Sequence, residues 1–215
     1  MSAMPYDLTH LTQSPAQDVI GPIQDDEALL LFAVCRVCCA RRIAEFGGQT
    51  GYSARNVLAA VRGFAESVVY TVDPAPVPKL APEHVLIPKL AKDVRPEDFD
   101  RRPLDLVFFD CHDFFQQMAA FRTLSESGVI TRSTTLALHD TGTHPAFIVP
   151  WSYPGDGGFI HQPAERAMAN AFQDLGYECV SFHAPTPAPP LPFRHGLTLC
   201  RPRQRFINEP DRGPR

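Results

Sequence analysis

Short runs, apolar almost throughout, recur along this chain with a carboxylate at or near their ends. They are "IAEF" with Glu45, "SVVYTVD" ending in Asp73, "LDLVFFD" ending in Asp110 and "TTLALHD" ending in Asp140. Runs this short, rich in Val, Leu and Phe and lacking strict polar alternation, suit strands covered on both faces, the condition of a parallel sheet. Helical periodicity fills the gaps: 53–64, 114–125 and 164–175, the last stopped by Gly176, a residue type that readily takes the left-handed position after a helix. Another helix, from Asp25 to about Arg41, precedes the first run, with acids at its positive end and Arg36, Arg41 and Arg42 toward the other. The alternation predicts an α/β fold with helices on both faces of the sheet. "HVLIPKL" reads as a weaker third strand, and "YECVSFH" and "HGLTLCRP" as two closing ones.

A chain of 215 residues is long enough for one sizeable core and short for two. Residues 1–24 read as a loose polar start, 25–202 as a single domain and 203–215 as a tail. Within the domain, 141–163 has little periodicity and reads as a long lid-like loop, with Trp151 and Tyr153 as flat faces and 154–158 as a hinge. "APTPAPPLPF" is an extended proline-rich connection.

The net charge of -4 opposes binding to nucleic acid or an anionic membrane, because neutralising phosphates takes clustered Lys and Arg. With neither a secretory leader pattern nor a long apolar run, the expected address is the cytoplasm. Six cysteines without a pairing rhythm are expected as thiols, and the Cys35, Cys38, Cys39 group as helix-face residues rather than metal ligands.

The turn "EFGGQTGYS" carries the first functional signal. Glycines at the carboxyl end of a first parallel strand let the backbone approach a ligand, and the helix that follows offers free N–H groups. Gly47-x-x-x-Gly51 is not the Gly-x-Gly-x-x-Gly of dinucleotide enzymes, so the turn alone is nonspecific. Asp73, about 20 residues beyond Gly51 at the end of the second strand, adds a carboxylate suited to ribose hydroxyls, and the pair points to a nucleoside-bearing ligand.

With these residues in place, the sequence resembles the class I S-adenosylmethionine-dependent methyltransferases, whose first motif reads Glu-x-Gly-x-x-x-Gly and whose second strand ends in an acid. "DLVFFDCHD" and "LALHDTG" are similar to the small O-methyltransferase branch that includes antibiotic-tailoring and catechol-type enzymes. The resemblance spans about 25–202. It implies a Rossmann-like doubly wound sheet, mostly parallel with an antiparallel last strand, and S-adenosylmethionine as cofactor. It further implies that Glu45 holds the turn or meets the methionine amino end, that Gly47 and Gly51 let the cofactor approach, that Asp73 binds ribose, that Asp93 lies near the adenine amino group, and that Asp110 joins this site. Where relatives usually have Gly then Asp after the first acid of the fourth strand, this chain has Cys111 and His112.

Asp110, His112, His139 and Asp140 fall at the ends of neighbouring strands and are expected to converge. His112 is the first candidate for a general base and His139 the second, with Asp140 in the same catalytic group, since an ordinary imidazole accepts a proton near neutrality. Asp110 and Asp140, with or without His139, are candidate ligands for a divalent metal, Mg²⁺ or, with an imidazole present, Mn²⁺ or a later ion. The expected partner is a small-molecule acceptor, and a homo-oligomer is compatible with this reading. Two other readings stand beside methyl transfer to a hydroxyl: a nicotinamide-dependent oxidoreductase, and a non-catalytic cofactor-binding module on the same scaffold.

Overall fold

The computed structural model describes residues 23, 25–142, 150–152, 159–161, 164–182 and 196–203. The chain runs α1 (Asp25–Val37), β1 (Arg42–Phe46), α2 (Tyr52–Val61), β2 (Val68–Val72), β3 (His84–Ile87), β4 (Leu106–Phe109), α3 (Phe114–Glu126), β5 (Thr135–Leu138), β6 (Pro150–Ser152), β7 (Phe159–His161), α4 (Ala164–Asp174), β8 (Tyr177–Phe182) and β9 (Leu197–Pro202). Seven strands make one sheet in the order β3-β2-β1-β4-β5-β9-β8. Neighbours from β3 to β5 are parallel, and β9, the last strand, is antiparallel to both β5 and β8, as expected.

Because the apolar runs do not alternate with polar residues, the central strands β1, β2, β4 and β5 supply two cores. Ile43, Val69, Leu106, Phe108 and Ala137 pack with Leu31, Cys35, Val57 and Leu58 of α1 and α2 on one face. Ala44, Phe46, Tyr70, Val107, Phe109 and Leu138 pack with Phe121, Leu124, Met168 and Phe172 of α3 and α4 on the other. Full burial of one such side chain is worth about 1.5–3 kcal/mol, so the two faces together hold the sheet rigid behind its loops.

Two elements differ from the sequence reading. Helix α1 stops at Val37 rather than near Arg41, because Cys39 turns left-handed (φ 49) and Ala40 donates back to the Cys35 carbonyl at 2.9 Å. This is a Schellman-type ending with cysteine where glycine is usual, so the stop signal was missing from the sequence. Inside the supposed loop 141–163, β6 and β7 pair antiparallel, Trp151 opposite Ile160. Tyr153, the hinge 154–158 and the terminal segments 1–22 and 204–215 lie outside the described residues.

The strand order reverses between β1 and β4. In open α/β sheets, the crevice beyond the carboxyl ends at such a switch point is where ligands bind.

Candidate functional site

A cavity of about 320 Å³ opens at that crevice. The glycine turn, Val72–Pro74 after β2, Leu90 and Ala91 after β3, and Asp110, Cys111 and His112 after β4 line it. Its size falls within the range of small-molecule sites.

Gly47 is fixed by its surroundings. Its N–H donates to the Val72 carbonyl at 2.9 Å, its φ is +98°, and a Cβ there would stand 2.3 Å from the Asp110 carbonyl oxygen. Any side chain would fill the space between β1 and β4. Gly48, which the sequence reading passed over, is as tightly held: a Cβ would lie 2.3 Å from Thr71 Cγ2. Gly51 precedes α2 with φ +77°, a backbone constraint more than a spatial one.

Asp73 closes the turn from the β2 side. Its Oδ2 accepts from the N–H groups of Gly48 (2.8 Å) and Gln49 (3.0 Å), and its Oδ1 from that of Ala75 (2.8 Å). A carboxylate has about four acceptor positions. Three are taken within the described residues, which leaves capacity on Oδ1 for one ribose hydroxyl rather than the two expected.

Glu45 is fully buried beneath the turn and does not line the cavity. Its Oε2 accepts from Thr71 Oγ1 at 2.8 Å. Thr71 Oγ1 also lies 2.9 Å from Nε2 of buried His84, whose Nδ1 accepts from the Leu80 N–H at 3.3 Å. That last bond places the His84 proton on Nε2, so the relay runs His84 to Thr71 to Glu45. Among the described residues, no hydrogen bond of ordinary geometry reaches Oε1 of Glu45. Burial pushes the Glu45 carboxyl up to about 7, the Ser53 and Thr71 hydroxyls pull it down, and the charges of Asp110 and Asp73 add to the rise. Of its two expected roles, holding the turn is the one this position serves.

At the ends of β4 and β5 the acids and imidazoles meet. His139, 1% exposed, has Nδ1 at 2.9 Å from Asp110 Oδ1 and at 3.4 Å from Asp140 Oδ1, and Nε2 at 3.0 Å from Glu27 Oε2 of α1. Burial alone would discharge this ring; Asp110, Asp140 and Glu27 outweigh it and raise His139 well above an ordinary imidazole. Both ring nitrogens are thus engaged by carboxylates. Burial raises Asp110 in turn, while His139 opposes the rise.

Asp110, His139 and Asp140 present ligand atoms within 4.8 Å of one another. Two carboxylates and an imidazole, the far nitrogen held by a further carboxylate, are a donor set that fits a divalent transition metal; the same atoms also fit a proton on Nδ1.

His112 stands at the cavity rim in a left-handed conformation (φ 55), as does Asp140 (φ 54). Non-glycine residues in that region carry strain that their surroundings must hold in place. Here the holder is Glu165 of α4, 1% exposed, whose Oε1 accepts from the His112 backbone N–H and from Gln117 Nε2, both at 2.8 Å. The ring's Nδ1 lies 3.4 Å from Asp140 Oδ2 and 3.5 Å from Glu165 Oε1. Glu165 pushes His112 up to about 9, with burial opposing and Asp110 and Asp140 assisting; the half-exposed ring lets solvent soften the effect. The imidazole expected to accept a proton near neutrality is thus held toward its protonated form. Burial also pushes the neighbouring Cys111 thiol up to about 12, which rules it out as a thiolate nucleophile at neutral pH.

The structure thus gathers Gly47, Asp73, Asp110 and His112 around one cavity, with Gly51 in the same turn but not in its lining, and joins His139 and Asp140 to Asp110. Asp93 is the exception: it ends a short 3-10 turn, is exposed, and the lining there comes from Leu90 and Ala91. The sequence reading missed Glu27, Glu165 and Gln117. The first two are acids in the first turn of a helix, a position that the helix dipole alone explains.

No family model matches the chain, and no curated protein matches its sequence. Solved structures do match its fold. A methyltransferase of Podospora anserina, SAH-bound, is 16% identical with a TM-score of 0.59, covering 92% of this chain and 87% of that one. The O-methyltransferase TomG from Streptomyces achromogenes, involved in tomaymycin synthesis and in complex with SAM, is 16% identical with a TM-score of 0.55, covering 84% and 81%. An O-methyltransferase from Bacillus cereus in complex with SAH is 13% identical with a TM-score of 0.59, covering 94% of each chain. The fold is that of the class I methyltransferases.

Proposed function

We propose that the chain is an S-adenosylmethionine-dependent methyltransferase acting on a hydroxyl of a small molecule. The observation that carries this reading is the cavity at the switch point, floored by a glycine turn that admits no Cβ at Gly47 and rimmed by Asp73, Asp110 and His112. The fold shared with the methyltransferases above supports it.

S-adenosylmethionine, when bound, supplies a methyl carbon on a sulfonium. The chain's own residues do the rest. Gly47 and Gly48 let the backbone close on the ligand, and Asp73 keeps one acceptor position for a ribose hydroxyl. Transfer requires the acceptor oxygen to lose its proton and to stand in line with the methyl group, so positioning and proton management are what the protein contributes. His112 is the residue placed for both. Its neutral form, which becomes populated as pH rises toward about 9, takes the proton, and Glu165, Asp110 and Asp140 stabilise the imidazolium that results. Asp110, His139 and Asp140 would hold a divalent cation, whose chemistry there would be to polarise the acceptor oxygen.

On this reading the partner is a small molecule, not a nucleic acid or a membrane. No helix among the described residues is long and apolar enough to cross a bilayer, and a cytoplasmic location agrees with six cysteines that are all free thiols.

The test is transfer of labelled methyl groups to a library of small hydroxyl compounds, with and without chelator. Labelled product and S-adenosylhomocysteine in equal amounts are expected. Binding of S-adenosylmethionine without turnover on any acceptor would favour the non-catalytic module, and binding of NADH instead would favour the oxidoreductase.

A further inference from the structure

Away from the cavity, the antiparallel ladder of β8 and β9 sets two cysteines face to face. Cys179 and Cys200 are register partners. An antiparallel ladder alternates between hydrogen-bonded pairs and non-bonded ones whose side chains stand closer, with Cα atoms about 4.5 Å apart. The alternation here can be located. The Arg203 N–H donates to the Gly176 carbonyl at 3.2 Å, one step beyond the pair Tyr177↔Pro202. Position 176/203 is therefore bonded, 177/202 is not, 178/201 is bonded, and 179/200 is not. Pro202 confirms the phase, since a residue without an N–H belongs where none is required.

Cys179 and Cys200 thus occupy the close, non-bonded type of pair with both side chains on one face, the face toward α4, where Cys179 Sγ lies 3.7 Å from the Ala169 carbonyl. Disulfides span Cα separations of about 4.4–6.8 Å, and the ladder geometry falls inside that range. The two thiols also differ in access: Cys200 is fully buried, whereas Cys179 is half-buried and open to a small oxidant.

We propose that Cys179 and Cys200 are a modification site, a cross-strand dithiol that a hydroperoxide converts reversibly to a disulfide. In the first step the Cys179 sulfur attacks the peroxide, an S–O bond forms, the O–O bond breaks, and the departing oxygen leaves as water or an alcohol, giving a sulfenic acid. In the second, the Cys200 sulfur attacks that sulfur, the S–S bond forms, the S–O bond breaks, and water leaves with the Cys200 proton. The two thiols together lose two electrons and two protons, and the peroxide is reduced. A hydrogen bond from Cys200 holds the Cys179 thiol below its ordinary range, which favours it as the first nucleophile. Cys35 is fully buried and Cys111 mostly so, and burial pushes both thiols up to about 12, while exposed Cys39 has no register partner.

The experiment treats the folded, full-length chain with hydrogen peroxide, alkylates the remaining thiols, and maps peptides without reduction. The expected product is a single cross-linked peptide pair joining Cys179 to Cys200, lighter by two hydrogens and released by dithiothreitol. In Cys200→Ser, Cys179 should instead be captured as a sulfenic acid by dimedone. Two results would overturn the proposal: Cys179 and Cys200 both recovered as separately alkylated or overoxidised peptides, or cross-links scattered among all six thiols in the folded chain as in urea-unfolded chain. None of these readouts requires methyl transfer, so the proposal stands or falls independently of the enzymatic reading.

Discussion

Both ends of the sheet carry a buried polar cluster, and the two are balanced differently. At the amino end, Arg42 donates to the Tyr70 hydroxyl (2.8 Å), the Phe99 carbonyl (2.7 Å) and Asp100 (3.3 Å), and Tyr70 donates to Asp100 at 2.6 Å. One cation meets one anion, and Asp100 remains largely exposed. At the carboxyl end, among the described residues, Glu27, Asp110, Asp140 and Glu165 face His112 and His139. The amino-end cluster opens to solvent through Asp100, whereas the carboxyl-end cluster borders the cavity through Asp110 and His112.

The comparison can be broken most severely at Gly47. Gly47→Ala forces a Cβ against the Asp110 carbonyl with a positive φ, and should cost about 3–5 kcal/mol of stability along with cofactor binding. Denaturant unfolding of the variant within about 1 kcal/mol of wild type would mean that the turn is not fixed by β4 as described.

Glu45 tests the carboxyl end through pH. Its folded pKa, about 7, stands above the ordinary value of 4.5, so the native state binds the extra proton between those values. The stability this contributes is fully present below 4.5 and is lost as pH rises through 7, amounting to roughly 3 kcal/mol. Glu45→Gln, which keeps the acceptor for Thr71, should flatten that part of the stability profile. An unchanged slope between pH 4.5 and 7 would show that Glu45 is charged in the folded chain.

Tyr70→Phe sharpens the contrast from the other side. Removing a hydroxyl whose acceptor is solvated should cost about 1 kcal/mol of stability and leave ligand affinity untouched, because the amino end is remote from the cavity. A loss of affinity for S-adenosylmethionine would join the two clusters and undo the distinction.

Much of this was legible in the residues. The parallel sheet and its helices follow from apolar runs that do not alternate, the antiparallel last strand was implied by the family resemblance, and Gly47, Asp73, Asp110 and His112 are found together because strand ends in a parallel sheet share an edge. The rest depended on contacts that local patterns do not encode. Glu165 reaches His112 across 53 positions and Glu27 reaches His139 across 112. Asp93 looked like a ligand from its place after a strand, yet a 3-10 turn puts it outside the cavity. The same holds for the imidazoles: the acids that shift His112 and His139 are neighbours that the sequence does not place beside them.

The central claim, that this edge of the sheet binds S-adenosylmethionine through Asp73 and the glycine turn, is tested most directly by titration calorimetry of the wild-type chain and Asp73→Ala. The expected result is saturable binding to the wild type, no binding of NADH, and an affinity weaker in Asp73→Ala by about 1.5–3 kcal/mol, roughly 10- to 100-fold, with the variant still folded. No heat from S-adenosylmethionine with the wild type, or equal affinity for the two chains, would contradict it.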